Sequence, residues 1–372
     1  MSSQLPADRE AGADGARAGR PDFATLPDLA ARRLGGSVRY ATDELFAAKE
    51  NLIKPEPPVF EAGEFGARGK IYDGWESRRR REPGNDHAII RLGVAGIVHG
   101  IAVDTSFFRG NHPPQVSVEA VSVDGHPSAA ELSELDWRPL VEPAAATGDA
   151  VNWYPAGVPR HCTHVRLSIY PDGGVARCRV HGQPLPDPRF LTGTIDLAAI
   201  DNGGQLIDCS NAFYSSAWNL IMPGRAASMA DGWENSRRRD GGFDYATFGF
   251  AAAGVVRQIE IDTSYFVGNA PGSARLLAAA SQLPDAMSPP GAVNLAEAVS
   301  TDQWAELLPP AALQPDTRHR FLVDPAEAVT QVRLEVFPDG GLARLRVLGE
   351  ITPDALAGMR ARYLAARRPS AG

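Results

Sequence analysis

The 372-residue chain has few cysteines, no long apolar run and no targeting pattern at its start. Its three cysteines, Cys162, Cys178 and Cys209, form an odd set without a CxxC pair. This favours reduced thiols that serve as small buried side chains over a disulfide framework. No apolar stretch reaches the length of a membrane span, and no signal peptide pattern is present. We therefore expect a cytoplasmic protein without membrane contact.

Patterns typical of metal, phosphate and dinucleotide sites are also absent. His161 and His164 are three residues apart, but no Cys/His spacing matches a zinc site. The segments GGVAR and GRAAS lack the glycine spacing of phosphate-binding loops. We expect no cofactor and no metal, although a divalent metal is not excluded. A net charge of −8 argues against a general nucleic-acid binder.

The composition is that of a globular protein, with 44% hydrophobic and 22% charged residues, and the length supports about two domains. Residues 1–20 are small, charged and aperiodic, which predicts a disordered tail. The Pro- and Gly-rich stretch at 183–196 is typical of a linker. We predict a first repeat over 21–190, a second over 191–352, and a C-terminal helix and tail over 353–372.

The most informative feature present is an internal duplication. DGWESRRRR at 73–81 returns as DGWENSRRR at 231–239, with seven of nine positions identical. DTSFFRGN at 104–111 returns as DTSYFVGN, and YPDGGVARCRVHG at 170–182 returns as FPDGGLARLRVLG. A weaker echo relates residues 34–52 to residues 202–220. Repeats of this length are whole domains rather than solenoid units.

Within each repeat the hydrophobic pattern has a period of two, which predicts strands. HVRLSIY places Val165, Leu167 and Ile169 on one face, and QVRLEVF repeats this pattern. The following PDGG segments are turn signals, so each pair of strands is predicted to form a hairpin. Helical patterns are confined to 353–368 and a weaker one in TDELFAAKENL. The fold class is all-β, with two tandem jelly-roll β-sandwiches and a short C-terminal helix.

These residues resemble the allantoicase (allantoate amidinohydrolase) family. The resemblance is carried by TDELFAAKENLIKP, DGWE with its arginines, DTSFFxGNxP, the PDGG segments and NLIMPGRAASMADGWENSRRR, and it extends over about 21–349. It implies two galactose-binding-like jelly rolls, hydrolysis of allantoate to ureidoglycolate and urea in purine degradation, and a homo-oligomer.

The chemistry of allantoate defines what its site requires. Arginine forks can hold its carboxylate, and carboxyl groups can transfer protons to and from the departing urea and the attacking water. The predicted catalytic residues are Glu76, Glu234, Asp104 and His112. The predicted substrate-binding residues are Arg79, Arg81, Arg237, Arg239, Trp75, Asn111 and Asn269.

Several alternatives stay open at this stage. One alternative is that Asp104 and its loop form a turn without a part in catalysis, and that Trp75 is a core residue. The repeats are unequal, since seven of the eight histidines lie in the first one, so one site, two sites or a shared site would fit. A non-catalytic ligand-binding jelly roll and a hydrolase of a related ureido compound such as ureidoglycolate are the alternative functions.

Overall fold

The computed structural model describes residues 20–61, 63, 65–66, 69–70, 72–281, 303–324 and 327–368. Except for Arg20, the predicted N-terminal tail lies outside the described residues, as does the predicted C-terminal tail beyond residue 368. The strands of the first repeat are β1 (Ser37–Ala41), β2 (Phe65–Gly66), β3 (Gly69–Lys70), β4 (Trp75–Glu76), β5 (Asp86–Asp104), β6 (Gln115–Val121), β7 (Arg138–Ala145), β8 (Val151–Tyr170), β9 (Gly174–Val175) and β10 (Arg177–Pro184).

The second repeat has strands at most of the matching positions. They are β11 (Ile195–Asp196), β12 (Gln205–Cys209), β13 (Trp233–Glu234), β14 (Asp244–Asp262), β15 (Ser273–Ala279), β16 (Ala305–Ala312), β17 (Arg318–Leu322), β18 (Val329–Phe337), β19 (Gly341–Leu342) and β20 (Arg344–Ile351). The α-helices are α1 (Ala129–Ser133) and α2 (Pro353–Ala366). Short 3-10 helices cover Asp22–Thr25, Arg32–Leu34, Lys49–Ile53, Pro188–Phe190, Ile200–Asn202, Ala217–Ile221 and Met229–Asp231.

One long strand forms the centre of each repeat. The sheet of the first repeat has the order β1-β5-β8-β6-β7, with β10 also paired to β5. That of the second has the order β11-β20-β14-β18-β15-β16, with β12 and β17 also on β14. The β5–β8 register shifts between Arg91 and Gly96, and the β14–β18 register shifts between Gly249 and Gly254. Because such irregularities bend a strand, each long strand can pair with different neighbours along its two halves.

The predicted alternation is confirmed in the core. Val165, Leu167 and Ile169 are fully buried, and so are their counterparts in β18. Buried residues of both repeats form one hydrophobic cluster. The predicted all-β class with two tandem antiparallel sheet domains and a C-terminal helix is therefore confirmed. No helix among the described residues is long and apolar enough to cross a membrane.

The predicted PDGG hairpins are wrong. In the second repeat, β18 and β20 flank the same strand: Asp244 of β14 lies opposite Val336, and Asp262 of β14 lies opposite Arg344. The PDGG segment therefore carries the chain from one end of β14 to its other end, and the first repeat does the same along β5. The glycines of the turn pair with the DGWE segment instead, as β4 with β9 and β13 with β19.

The helical predictions divide into one that is confirmed and one that is wrong. Helix α2 begins at Pro353 after the cap residue Thr352, whose side chain accepts a hydrogen bond from the N–H of Ala355. TDELFAAKENL contains only the 3-10 helix Lys49–Ile53. Its beginning is irregular, and there the Asp43 side chain accepts hydrogen bonds from the N–H groups of Leu45 and of Arg78, which is distant in sequence.

Candidate active site

The three motifs that recur in the sequence meet at one place in each repeat. Glu76, at the end of β4, lies opposite Gly174 of the PDGG turn. The N–H of Gly174 donates to the carbonyl oxygen of Asn111 at 2.8 Å, and the N–H of Gly341 donates to that of Asn269 at 2.7 Å. The turn therefore holds both the acidic segment and the DTS–GN loop. A Cβ on Gly174 would lie 2.0 Å from Phe108, so this close approach requires glycine.

This arrangement brings a carboxylate and an amide together twice. Asn111 Nδ2 donates to Glu76 Oε1 at 2.8 Å. Asn269 Nδ2 donates to Glu234 Oε1 at 2.7 Å. We call these the Glu–Asn pairs. They join four of the predicted site residues.

The surroundings of Glu76 favour its neutral form. Burial raises the pKa of the Glu76 carboxyl above its ordinary value, and the hydrogen bond from Asn111 opposes this effect only in part. A carboxyl group with a raised pKa is a stronger base when ionised and retains its proton to a higher pH. Glu76 is thus suited to transfer protons in both directions.

Some arginines of each block have structural partners. Arg78 Nε donates to Asp43 Oδ2 at 2.6 Å. Arg80 Nη1 donates to Asp86 Oδ1 at 2.8 Å, and Arg238 Nη1 donates to Asp244 Oδ1 at the same distance. Since Asp86 and Asp244 are buried, these arginines neutralise charges inside the fold.

The other arginines are the four that the sequence predicted to bind substrate. They are exposed, and none has a hydrogen-bond or ion-pair partner within the described part of the chain: Arg79, Arg81, Arg237 and Arg239. Arg79 and Arg237 occupy matching positions three residues after the glutamates. Each repeat therefore presents unpaired guanidinium groups on the segment that carries its Glu–Asn pair.

Three of the predicted site residues lie outside the Glu–Asn pairs. Trp75 is wholly buried, and its indole N–H donates to the carbonyl oxygen of Asp43, so the prediction that it binds substrate is corrected to a core role. Asp104 Oδ1 accepts from the N–H of Ser106 at 2.8 Å, which closes a turn. The His112 ring is bonded through Nδ1 to the carbonyl oxygen of Arg109, within its own loop.

Sequence reasoning missed the acceptors that shape the arginine blocks. Asp43 accepts from the N–H of Arg78, and Asn211 accepts from the N–H of Ser236. Asp172 and Asp339 of the PDGG turns accept from the N–H groups of Arg80 and Arg238. Both pairs occupy matching positions in the duplicated segments, so the internal alignment contained the signal.

The DTS–GN loops beside the two Glu–Asn pairs differ in one exposed residue. Arg109 Nε donates to Asp149 Oδ2 at 2.8 Å in the first repeat. The matching residue of the second repeat is Val267, which is 69% exposed. Among the residues that the structure describes, no group of three or more His, Cys, Asp or Glu side chains is placed to hold a metal ion.

Comparisons with known proteins identify the relatives of this arrangement. A family model described as an allantoicase repeat matches residues 27–185 and again 195–352. A probable allantoicase of Nocardia farcinica is 48% identical over 88% of this chain and 95% of its own length. A probable allantoicase of Streptomyces coelicolor is 44% identical over 92% of this chain and 90% of its own. A crystal structure of allantoicase from Saccharomyces cerevisiae superposes with a TM-score of 0.73 and 32% identity, covering 87% of this chain and 93% of that one.

Proposed function

The chain belongs to the allantoicase family and is therefore an enzyme of purine degradation that hydrolyses allantoate; we propose that its two Glu–Asn pairs carry out the reaction. The observation that carries this proposal is the convergence of three separate motifs on each pair. The hydrogen bond from the asparagine Nδ2 to the glutamate Oε1 is 2.8 Å long between Asn111 and Glu76 and 2.7 Å long between Asn269 and Glu234. It is present in both repeats although the loops beside the pairs differ.

Substrate binding follows from the unpaired charges beside each pair. Allantoate has one carboxylate and two ureido groups on its central carbon. Arg79 and Arg237 are free to form forked hydrogen bonds with the carboxylate. The amides of Asn111 and Asn269, which are fixed by the glutamates, offer their oxygens to ureido N–H groups.

The reaction needs one proton to move from water to nitrogen. The bond between the central carbon and one ureido nitrogen breaks, that nitrogen gains a proton and leaves as urea, and the carbon gains a hydroxyl from water. The remaining ureido nitrogen can stabilise the positive charge that develops at the carbon. We assign Glu76 and Glu234 to protonate the departing nitrogen and to accept the proton of the attacking water.

Replacement of the glutamates tests this assignment. We expect Glu76→Gln and Glu234→Gln each to remove the turnover of its own site, and the double variant to lose about 10²-fold or more in kcat. Urea and ureidoglycolate would be quantified together. The exposed helix residue Glu131 supplies the control Glu131→Gln, which should retain activity. Wild-type kcat in the double variant would contradict the assignment.

The position of bond cleavage has its own test. In water labelled with heavy oxygen, the label should enter the hydroxyl of ureidoglycolate, and urea should stay unlabelled. Label in a carbonyl product would show attack on the ureido carbonyl instead.

We also propose a cytoplasmic location and homo-oligomeric assembly. The first is supported by Cys162 and Cys178, which are buried as thiols without a disulfide bond. The second is supported by the exposed apolar side chains Phe213 and Tyr214 of the second repeat. Light scattering of the purified protein would test the assembly, and a monomer at micromolar concentration would contradict it.

A further inference from the structure

An arginine-lined pocket of about 420 Å³ lies on the sheet of the second repeat. Five arginines line it: Arg225, Arg318, Arg320, Arg344 and Arg346. Among the described residues, two carboxylates, those of Glu260 and Asp262, line the same pocket, so its lining is cationic. None of these residues belongs to a Glu–Asn pair.

The floor of the pocket contains a buried guanidinium with unused hydrogen-bonding capacity. Arg344 is only 4% exposed. Its Nη1 donates to the carbonyl oxygens of Asp231 and Ala343 at 2.7 Å each, and its Nε donates to that of Gly224 at 3.3 Å. Its Nη2 has no hydrogen-bond partner within the described residues. Burial lowers the pKa of Arg344 to about 10, so the group is still cationic at neutral pH.

In the first repeat, the arginine that matches Arg344 has a carboxylate partner for its Nη2. There, Arg177 Nη2 donates to Asp73 Oδ2 at 2.6 Å. The matching carboxylate, Asp231, instead forms an ion pair with Arg33 and accepts from the N–H of Ala227. Arg344 is therefore left without the carboxylate that completes its counterpart.

Strand register shows that the pocket is specific to the second repeat. Arg318 and Arg320 lie opposite Asp262 and Glu260 of β14. In the first repeat, the residues that lie opposite the matching positions of β5 are Val151 and Trp153 of β8. The second repeat therefore has two arginines where the first has an aliphatic and an aromatic side chain.

The first repeat fills the same place with its own chain. The ring of Phe23 packs 6.0 Å from that of Trp153 and 6.1 Å from that of His181, measured between centroids. A Cβ on Gly100 would lie 2.4 Å from Phe23. The matching residue of the second repeat is Gln258, which lines the pocket.

The carboxylates of the pocket are already engaged. Glu260 accepts from Arg318 and Arg320. Asp262 accepts from the N–H of Ser264 at 2.9 Å. Arg225 is exposed and has no partner among the described residues. Arg346 is ion-paired with Asp196. The charges left for a ligand are therefore those of Arg225 at the rim and Arg344 at the floor.

We propose that this pocket is a binding site for a compact oxyanion, a phosphate or a carboxylate, held by Arg225 and Arg344. A planar guanidinium that presents a free N–H edge matches the oxygens of either group. The site is separate from the catalytic Glu–Asn pairs, and its occupancy does not require turnover.

Phosphorus NMR titration of the full-length protein with inorganic phosphate, at constant ionic strength, tests the proposal. We expect saturable binding that weakens by about tenfold or more in Arg225→Gln and Arg344→Lys, because each loses a charge-assisted hydrogen bond. Arg138→Gln, which removes an exposed arginine of the first repeat, should bind as the wild type does. Circular dichroism would verify the fold of the Arg344 variant, and the exposed Arg225 variant provides an independent reading.

Acetate competition separates the two ligand sources. Displacement of phosphate by acetate at similar concentration would assign the site to carboxylates as well, and no displacement would assign it to tetrahedral oxyanions. The proposal is overturned if neither anion saturates, if Arg225→Gln binds phosphate as the wild type does, or if Arg138→Gln weakens binding to the same extent.

Discussion

Neighbouring arginines in each block differ in what neutralises them. Arg80 and Arg238 pair with buried aspartates, whereas Arg79 and Arg237 are exposed and have no partner among the residues that the structure describes. A cation that already has a buried partner is needed by the fold, because its removal would leave an unpaired charge inside. An exposed and unpaired cation is available to a substrate.

The proposed carboxylate-binding role of Arg79 and Arg237 leads to a kinetic prediction. Arg79→Ala and Arg237→Ala should each raise KM for allantoate at the affected site by about tenfold or more, since a charge-assisted fork is lost. Steady-state kinetics of urea release would measure this, with Arg138→Ala as the charge control. An unchanged KM in both variants would remove these arginines from the site.

The raised pKa of Glu76 leads to a prediction about stability. Because folding favours the neutral carboxyl, the stability contributed by this group is present below its unfolded pKa and is lost as the pH rises through its folded pKa. Glu76→Gln should therefore become more stable relative to the wild type as the pH rises from about 4 to about 7.5. Thermal unfolding at several pH values would measure the difference.

Glu131 provides a control, because its pKa is shifted in the opposite direction to that of Glu76. The N–H and hydroxyl of Ser128 donate to its carboxylate, and these hydrogen bonds lower the pKa of Glu131. Glu131→Gln should lose stability relative to the wild type as the pH rises to the ordinary glutamate pKa of about 4.3, and the difference should stay constant above it. Parallel curves for both variants would contradict the assigned environment of Glu76.

At the scale of elements, the PDGG turn and helix α2 connect parts of the chain that are distant in sequence. The turn holds the DGWE segment and the DTS–GN loop in register. Helix α2 packs its Met359 and Tyr363 against residues of both repeats, Ile97 in the first and Ala252 in the second. Arg367 extends this contact through an ion pair with Asp124.

Tyr363 is expected to be the main anchor of helix α2. It is 6% exposed, and its ring meets that of His161 edge-on at a centroid distance of 5.2 Å. Tyr363→Ala should lower the free energy of unfolding by about 3 kcal/mol, as large-to-small changes of buried aromatic residues do. Urea denaturation would measure it, with Leu364→Ala, 59% exposed, as the matched control. Equal losses in both variants would contradict the packing of the helix.

At the scale of the whole molecule, the duplication is symmetric at the Glu–Asn pairs and asymmetric elsewhere. The histidine-rich first repeat buries His161 and His164 almost completely. Burial lowers the pKa of each to about 4, so both are neutral in the folded protein at physiological pH.

These histidines predict that the protein loses stability in mild acid. Below the ordinary pKa of about 6.5, the unfolded chain binds protons that the folded chain does not, until the pH falls to about 4. Each histidine should cost up to about 3 kcal/mol over this interval. Chemical denaturation between about pH 7 and pH 5 would show the loss, and His161→Gln should reduce it. The exposed His126→Gln is the control, and an equal effect of both variants would contradict the role of burial.

The sequence by itself determined the duplication, the all-β class, the C-terminal helix and the family. These properties depend on local alternation, capping residues and repeated motifs, which can be read along the chain. It also identified Glu76, Asn111 and their counterparts as candidate site residues, because they belong to the segments that recur.

Only the tertiary structure decided how those candidates combine. The PDGG segments were predicted as hairpins because a turn signal does not state which strands it joins, and the partners of β18 and β20 are set by long-range pairing with β14. Trp75 was placed in the site by its neighbours in sequence, whereas packing put it in the core. The arginine-lined pocket depends on the register of β17 against β14 and on the partner of Asp231, neither of which a local pattern contains.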